Sequence, residues 1–341
     1  MAGTIGRNWY LPHHGVVNPQ KPGKVRVVFD ASAKHEEVAL NEVLLKGPSL
    51  VNDIGTTLLL FREKTFSLSG DIQQMFLQVG VKKEDRSALR FLWRPPGTRN
   101  PPTVYEMQRQ IFGSISSPFI CSQVLRHIAD LNREEFPQAA ERVYTNFYVD
   151  NLLDSFYTEA EANQAVKDST ALLKKGGFHL NQWLSSSREV LALIPESDRN
   201  QPRLNLDLDD LPTERTLGVL YDSESDHFIF DVKCNVEANT KRQILSAVST
   251  LYDPLGFLSP IVLSAKRVLQ ELWLVGVDWD QPVPDTIMQQ WNRWTATLNT
   301  LKDFKVPRAL TLSNEIKNIQ LHAFCDASTL GFGSVVYLRV T

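Results

Sequence analysis

Hydrophobic and polar positions alternate in short stretches through the first half of the chain and recur at helical spacing in the second. Residues 25–29 (VRVVF), 66–69 (FSLS) and 143–149 (VYTNFYV) have the β-branched and aromatic content of strands. Residues 116–130 (SSPFICSQVLRHIAD) read as a helix, with Pro118 near its first turn, where a missing N–H costs little. Residues 159–176 read as another helix, stopped by the Gly176-Gly177 pair. A polar, Asp-rich stretch, 195–214, is the best candidate for a boundary. Beyond it, Thr240 and Gln243 make a capping box ahead of Ile244, Leu245, Val248 and Leu251, spaced as one helical face. Asp253-Pro254-Leu255-Gly256 breaks that helix. Ser259-Pro260 starts the next, which carries Val262, Leu263, Val268, Leu269, Leu272 and Trp273, and Trp279, Trp291 and Trp294 add bulk. IQLHAFCDAS and GFGSVVYLRV, at the end, read as two strands around a Gly-containing turn. A hairpin alone is marginal in water, so this end is either docked on the rest or a truncated domain.

A chain of 341 residues exceeds one ordinary domain and predicts two or three. Its 43% hydrophobic and 22% charged residues are ordinary for a soluble globular protein. No apolar run approaches the roughly 18 residues needed to span a bilayer, and the first residues lack the apolar core of a signal peptide. Cys121, Cys234 and Cys325 are scattered and form no CxxC pair, which fits a reducing compartment and thiols that mostly fill the core. The expectation is an intracellular, cytoplasmic protein without a membrane partner. The net charge of −3 neither demands nor excludes a polyanion. Locally, residues 1–30 carry Arg7, Lys21, Lys24 and Arg26 against Asp30 alone. That stretch is either a solvated basic face or part of a nucleic-acid footprint.

Two places offer carboxylates for chemistry. FSLSGDIQQMFLQV puts Asp71 at the end of an alternating apolar strand, where an acid has no packing use. NFYVDNLLDSF puts Asp150-Asn151 between two apolar arms, as at the tip of a hairpin. Nucleotidyl transfer uses two divalent cations roughly 3.5–4 Å apart, and hard cations want oxygen ligands on rigid strands. Each site also has a bland reading: Asp-Asn is a favoured turn pair, and an acid after Gly is a common turn or cap residue. Neither decides anything alone. There is no Asp-Thr/Ser-Gly turn for an aspartic peptidase, no HExxH and no GxxxxGK[ST].

The order of blocks around these acids carries more. YLPHHGVVNP, KVRVVFDASAK, LNEVLLKGPSL, FSLSGDIQQMF, RQIFGSISSPF, FYVDN, GGFHLNQW, the segment TKRQILSAVSTLYDPLGFLSPIVLSAKRVLQELW and FCDAS follow one another as in a retroelement polymerase. Together they resemble the Pol polyprotein of the BEL/Pao class of long-terminal-repeat retrotransposons along nearly the whole chain. The resemblance implies an α+β fold. Reverse transcriptase fingers and a palm with an antiparallel sheet would occupy 1–205, and a mainly helical, thumb- or connection-like Pao segment 206–312. A truncated RNase H hairpin would occupy 313–341. It implies an RNA-directed DNA polymerase acting with Mg²⁺ or Mn²⁺ on a template–primer of RNA or DNA and deoxynucleoside triphosphates, within a retroelement particle if the element is intact.

Residue by residue, the resemblance makes Asp71 and Asp150 the metal ligands and places Asn151 beside them in the catalytic turn. Arg26 would reach the triphosphate, and Phe76 would be the steric gate against a 2′-hydroxyl, although without the resemblance an aromatic there reads first as a core residue. Phe112 and Gly113 would line the nucleotide pocket, Tyr148 would contact the primer end, and Leu217-Gly218 would sit in a primer-grip hairpin. Asp326 matches the first RNase H acid, but only fifteen residues follow it, so RNase H activity is not expected. Asn151 departs from the family, whose turn is Tyr-x-Asp-Asp. An amide offers an oxygen but no charge, which weakens cation binding and predicts reduced rather than absent activity. The alternatives are a decayed fragment that binds primer–template without extending it, and an inert product that folds poorly.

Overall fold

A computed structural model describes residues 8–17, 23, 25–230, 237–311, 313 and 315–341. Arg7, Lys21 and Lys24 of the basic N-terminal stretch, and Cys234, lie outside the described residues. The chain is a mixed α+β protein that forms two compact units, each assembled from separate stretches of sequence. The first comprises Met1–Asn52, Asp71–Asn151 and Gln164–Asn181, and the second Asp53–Gly70, Leu152–Asn163 and Gln182–Thr341.

In the first unit, strands His13–Val17 and Val25–Phe29 pair antiparallel, with His13 opposite Phe29 and Val16 opposite Arg26. Because side chains alternate along a strand, Phe29 and His13 share one face and Arg26 takes the other. Arg90–Trp93 and Thr103–Glu106 form a second antiparallel pair, pinned by a 2.8 Å ion pair between Arg90 Nε and Glu106. Leu11, Ala31, Leu40, Val81, Leu89 and Ile111 make the core between these elements. The predicted helix is Ser117–Leu131, with Pro at its start and Cys121, Leu125, Ile128 and Ala129 on the buried face. The expected strand over 143–149 is only Phe147–Tyr148. Val143, Tyr144 and Thr145 instead end the helix Pro137–Thr145, which buries Ala139, Ala140 and Val143 as one stripe. Tertiary burial of that stripe overrides the strand preference of the Val-Tyr-Thr run.

A four-stranded sheet has the order Leu180–Ser185, Phe66–Ile72, Asn151–Phe156, Phe147–Tyr148. In the second unit another sheet runs Thr213–Thr216, Val219–Asp222, His227–Ile229, Lys305–Pro307, and Leu217-Gly218 makes the two-residue turn between its first two strands. Helices Lys241–Ser249, Ser259–Leu274 and Asp285–Thr297 pack through Ile244, Val248, Val268, Leu272, Trp291 and Trp294. Thr240 caps the first of them by accepting from the Gln243 N–H. Strands Ile319–Ser328 and Gly331–Val340 form the expected hairpin, exposed over most of its length. Cys121 is buried, as a core thiol should be, whereas Cys325 is exposed on this hairpin. Among the described residues no helix is long and apolar enough to cross a membrane.

Candidate functional site

The Phe66–Ile72 strand buries Ser67, Leu68, Gly70 and Ile72 and leaves Asp71 half-buried. Gly70 is required by a close approach: a Cβ there would come within 3.0 Å of the Trp183 ring. Next to Asp71, the Ile72 N–H donates to the Asp150 carbonyl at 2.8 Å, so the two acids are carried on hydrogen-bonded backbone. Asp150 follows Val149, whose φ of 58° is a left-handed conformation costly for a β-branched residue. Strain of this kind, on the order of 1–3 kcal/mol, persists only where surrounding contacts over-determine it. Here the Asn52 amide holds the Phe147 carbonyl at 2.8 Å on one side of the turn, and the Ile72–Asp150 bond holds the other.

The electrostatics follow from that geometry. Burial, then the charge of Asp150, pushes the Asp71 carboxyl up to about 6 from its ordinary 3.8. Burial also raises Asp150, partly offset by its own backbone N–H, by the Asn151 amide and by Arg26. The Asn151 Nδ2 donates to Asp150 Oδ1 at 3.0 Å, so the amide is used as a donor to a carboxylate. Two partly buried carboxylates, both with raised proton affinity and one of them raised in part by the other's charge, suit a hard divalent cation. Among the described residues no group of three or more His, Cys, Asp or Glu side chains could hold a metal ion.

Around the acids stand the aromatic and basic residues. Arg26 lies with its guanidinium carbon 5.4 Å from the centre of the half-exposed Phe112 ring. Phe112 in turn meets Phe76 at a centroid distance of 4.7 Å. Gly113, at φ 97°, comes so close to the hairpin that a Cβ would sit 2.6 Å from the Phe29 carbonyl oxygen. Tyr148 is two residues before Asp150, on the Phe147–Tyr148 strand. The structure therefore gathers Asp71, Asp150, Asn151, Arg26, Phe112, Gly113 and Phe76 into one connected set, all in the first unit. Asp326 takes no part in it and stands on the exposed Ile319–Ser328 strand of the second unit.

One residue of this set was not visible in the sequence. Asn41 donates to the Gly113 carbonyl at 2.9 Å and to Ser32 Oγ at 3.0 Å, and its Oδ1 accepts from the Ile115 N–H at 2.8 Å. It fastens the Phe112-Gly113 loop from both sides. The available signal was an Asn inside a mostly apolar run (VALNEVLL), an expensive place for an amide without partners.

Comparison with known proteins adds three findings. Residues 240–341 match the family model described as Pao retrotransposon-like RNaseH-like domain. No curated protein gives a significant sequence match. Among solved structures, a foamy viral protease-reverse transcriptase dRH in complex with ds DNA is similar at a TM-score of 0.59 and 14% identity, over 96% of this chain and 51% of that one. A foamy viral protease-reverse transcriptase in complex with RNA/DNA hybrid is similar at 0.57 and 14%, over 96% of this chain and 39% of that one. The chain thus spans about half or less of the length of these structures, and the likeness is one of fold.

Proposed function

We propose that this chain, whose residues 240–341 match a Pao retrotransposon-like family model, is the RNA-directed DNA polymerase of a BEL/Pao-class long-terminal-repeat retrotransposon Pol polyprotein, working at the Asp71–Asp150 pair. The observation that carries the proposal is that pair: two half-buried carboxylates on hydrogen-bonded backbone, each raised by its surroundings, beside an arginine and two facing phenylalanines. In this reading residues 1–205 act as fingers and palm, 206–312 as the helical connection and 313–341 as the start of an RNase H-like fold.

Asp71 and Asp150 would hold Mg²⁺ or Mn²⁺, with the Asn151 amide oxygen as a neutral donor. When bound, such ions lower the pKa of an attacking 3′ oxygen and neutralise charge on the leaving pyrophosphate. The chain's own residues supply positioning. Arg26, a permanently charged fork, would take the triphosphate. Phe76 would lie against the sugar, backed by Phe112, and set the steric limit at the 2′ position. Gly113 keeps the backbone close and Asn41 fixes that loop. Tyr148 would stand at the primer end. No covalent intermediate is needed; the rate comes from orientation and charge complementarity. The partners would be an RNA or DNA template–primer, contacted mostly at phosphates and by shape, since a polymerase must accept every sequence.

Asn151 supports a second reading, a fragment that retains primer–template without extending it, because the position has lost a charge and its amide donates to Asp150. Purified chain given a primed RNA template, deoxynucleotides and Mg²⁺ or Mn²⁺ separates the two. The polymerase reading predicts an elongated primer that disappears in Asp71→Ala. Retention of primer–template with no elongation by the natural sequence would establish the binder instead.

A further inference from the structure

The first unit carries a group of rings that the proposed chemistry does not use. On the paired strands Arg90–Trp93 and Thr103–Glu106, Phe91 is opposite Tyr105 and Trp93 opposite Thr103, so Phe91, Trp93 and Tyr105 share one face. Phe91 and Tyr105 stack at 5.6 Å with an interplanar angle of 22°. His13 and Phe29 back them from the neighbouring hairpin: His13 is 5.5 Å from Phe91 and 5.9 Å from Trp93, and Phe29 is 5.2 Å from Phe91. A hydrophobic core would hide its largest members. Here Trp93 and Tyr105 remain 46% exposed each, while the smaller Phe91 is partly buried.

The charge around these rings is one-sided. The loop joining the strands, RPPGTRNPP, brings Arg94 and Arg99 and no acid, and both are exposed. The one acid on the strands, Glu106, is committed to Arg90 on the opposite face. The loop is also stiff: four prolines flank a turn in which the Thr98 hydroxyl donates to the Pro95 carbonyl at 2.8 Å. Proline removes the N–H groups through which another strand would pair, which disfavours a sheet-forming protein partner. Exposed rings beside cations that form no ion pair among the described residues, on a rigid hairpin, match what single-stranded nucleic acid requires: a π-face for each base and a positive track for the phosphates.

We propose that Trp93 and Tyr105, backed by Phe91 and His13 and flanked by Arg94 and Arg99, form a stacking platform for an unpaired stretch of nucleic acid. The topology says which stretch. The His13–Phe29 hairpin turns Phe29 and His13 to the platform and Arg26, on its opposite face, to Phe112 and Asp150. One two-stranded element therefore separates the platform from the acid pair, where unpaired template would run before it is copied. The proposal rests on the polymerase reading for the identity of that strand, and on the rings and charges alone for the binding.

The test is the affinity of the full chain for a labelled single-stranded RNA of about 20 nucleotides, followed by fluorescence anisotropy. The double variant Trp93→Ala with Tyr105→Ala should bind roughly tenfold or more weakly, and Trp93→Phe with Tyr105→Phe should stay within about threefold of the natural sequence. Equal affinity in the alanine pair overturns the proposal. Should that pair fail to give a cooperative unfolding transition, Arg94→Ala with Arg99→Ala decides: the slope of log affinity against log salt should fall by about 1.4, and an unchanged slope overturns the platform. Self-association lost in the alanine pair, with no RNA binding by the natural chain, would assign the face to a second copy and also overturn it. Primer extension is read in parallel. Failed extension with the platform effect intact refutes the polymerase reading alone, and intact extension without the effect refutes the platform alone.

Discussion

At Asp71, burial and the neighbouring Asp150 act in the same direction, and the consequence for stability has a definite sign. A carboxyl whose pKa is raised by folding favours the folded state below its unfolded value, and that contribution is lost as pH rises through about 6. In metal-free buffer above that pH, Asp71→Asn should therefore stabilise the protein. Discounted for partial exposure, the gain is on the order of 1 kcal/mol, or about 2–4 °C in Tm. It should vanish near pH 4, and a calorimetric scan at both pH values that finds no pH-dependent difference contradicts this account of the pair. Asn151→Asp works the other way. A third carboxylate beside Asp150 should lower metal-free stability while raising primer extension in Mg²⁺ by about threefold to tenfold. A natural chain as fast as that variant would show that the missing charge costs nothing.

Within single elements, loop anchoring is what the site depends on. Asn41→Ala removes two bonds to the Phe112-Gly113 loop and leaves the Ile115 N–H and Gly113 carbonyl without that partner, a loss of about 1–3 kcal/mol. In primer extension the expected signature is a raised KM for deoxynucleotide, and an unchanged KM would show that the loop is held by something else. Elements whose periodicity and punctuation agree were legible in the sequence: the Ser117–Leu131 helix with its early proline, the Thr240 cap, and the terminal hairpin around its Gly turn. The Pro137–Thr145 helix was not, because Val-Tyr-Thr prefers strands and only packing reveals the Ala139, Ala140, Val143 stripe. Asp71 and Asp150 were singled out by the motifs around them. Asn41 was not, since the loop it holds is more than seventy residues away and amides carry no spacing rule.

Across the molecule, the two units are each built from non-contiguous stretches, and compositional texture, which runs along the chain, does not show such an arrangement. In the second unit the long-range tie is Arg308, fully buried although Pro-Arg-Ala-Leu reads as a surface loop. Its guanidinium donates to Asp226 and to the carbonyls of Phe61, Lys64 and Thr65, joining segments that lie more than eighty or two hundred and forty residues away in sequence. Asp226 also accepts from the Tyr221 hydroxyl, which burial and that neighbouring charge raise above its ordinary value. Arg308→Met should cost roughly 3–5 kcal/mol in urea unfolding, because it removes the charged partner of Asp226 and the guanidinium donor of three carbonyls. Lysine should not rescue it, since a point charge cannot reproduce the fork. A loss below about 1 kcal/mol would mean that water replaces the guanidinium. That Asp71 and Asp150 together bind the divalent cations is tested most directly by Mn²⁺ binding, read by electron paramagnetic resonance across pH. The natural chain should hold Mn²⁺ at pH 7.5, release it as pH falls through about 6, and lose it in both Asp71→Ala and Asp150→Ala. Binding that survives in either variant, or that ignores pH over this range, would contradict the assignment.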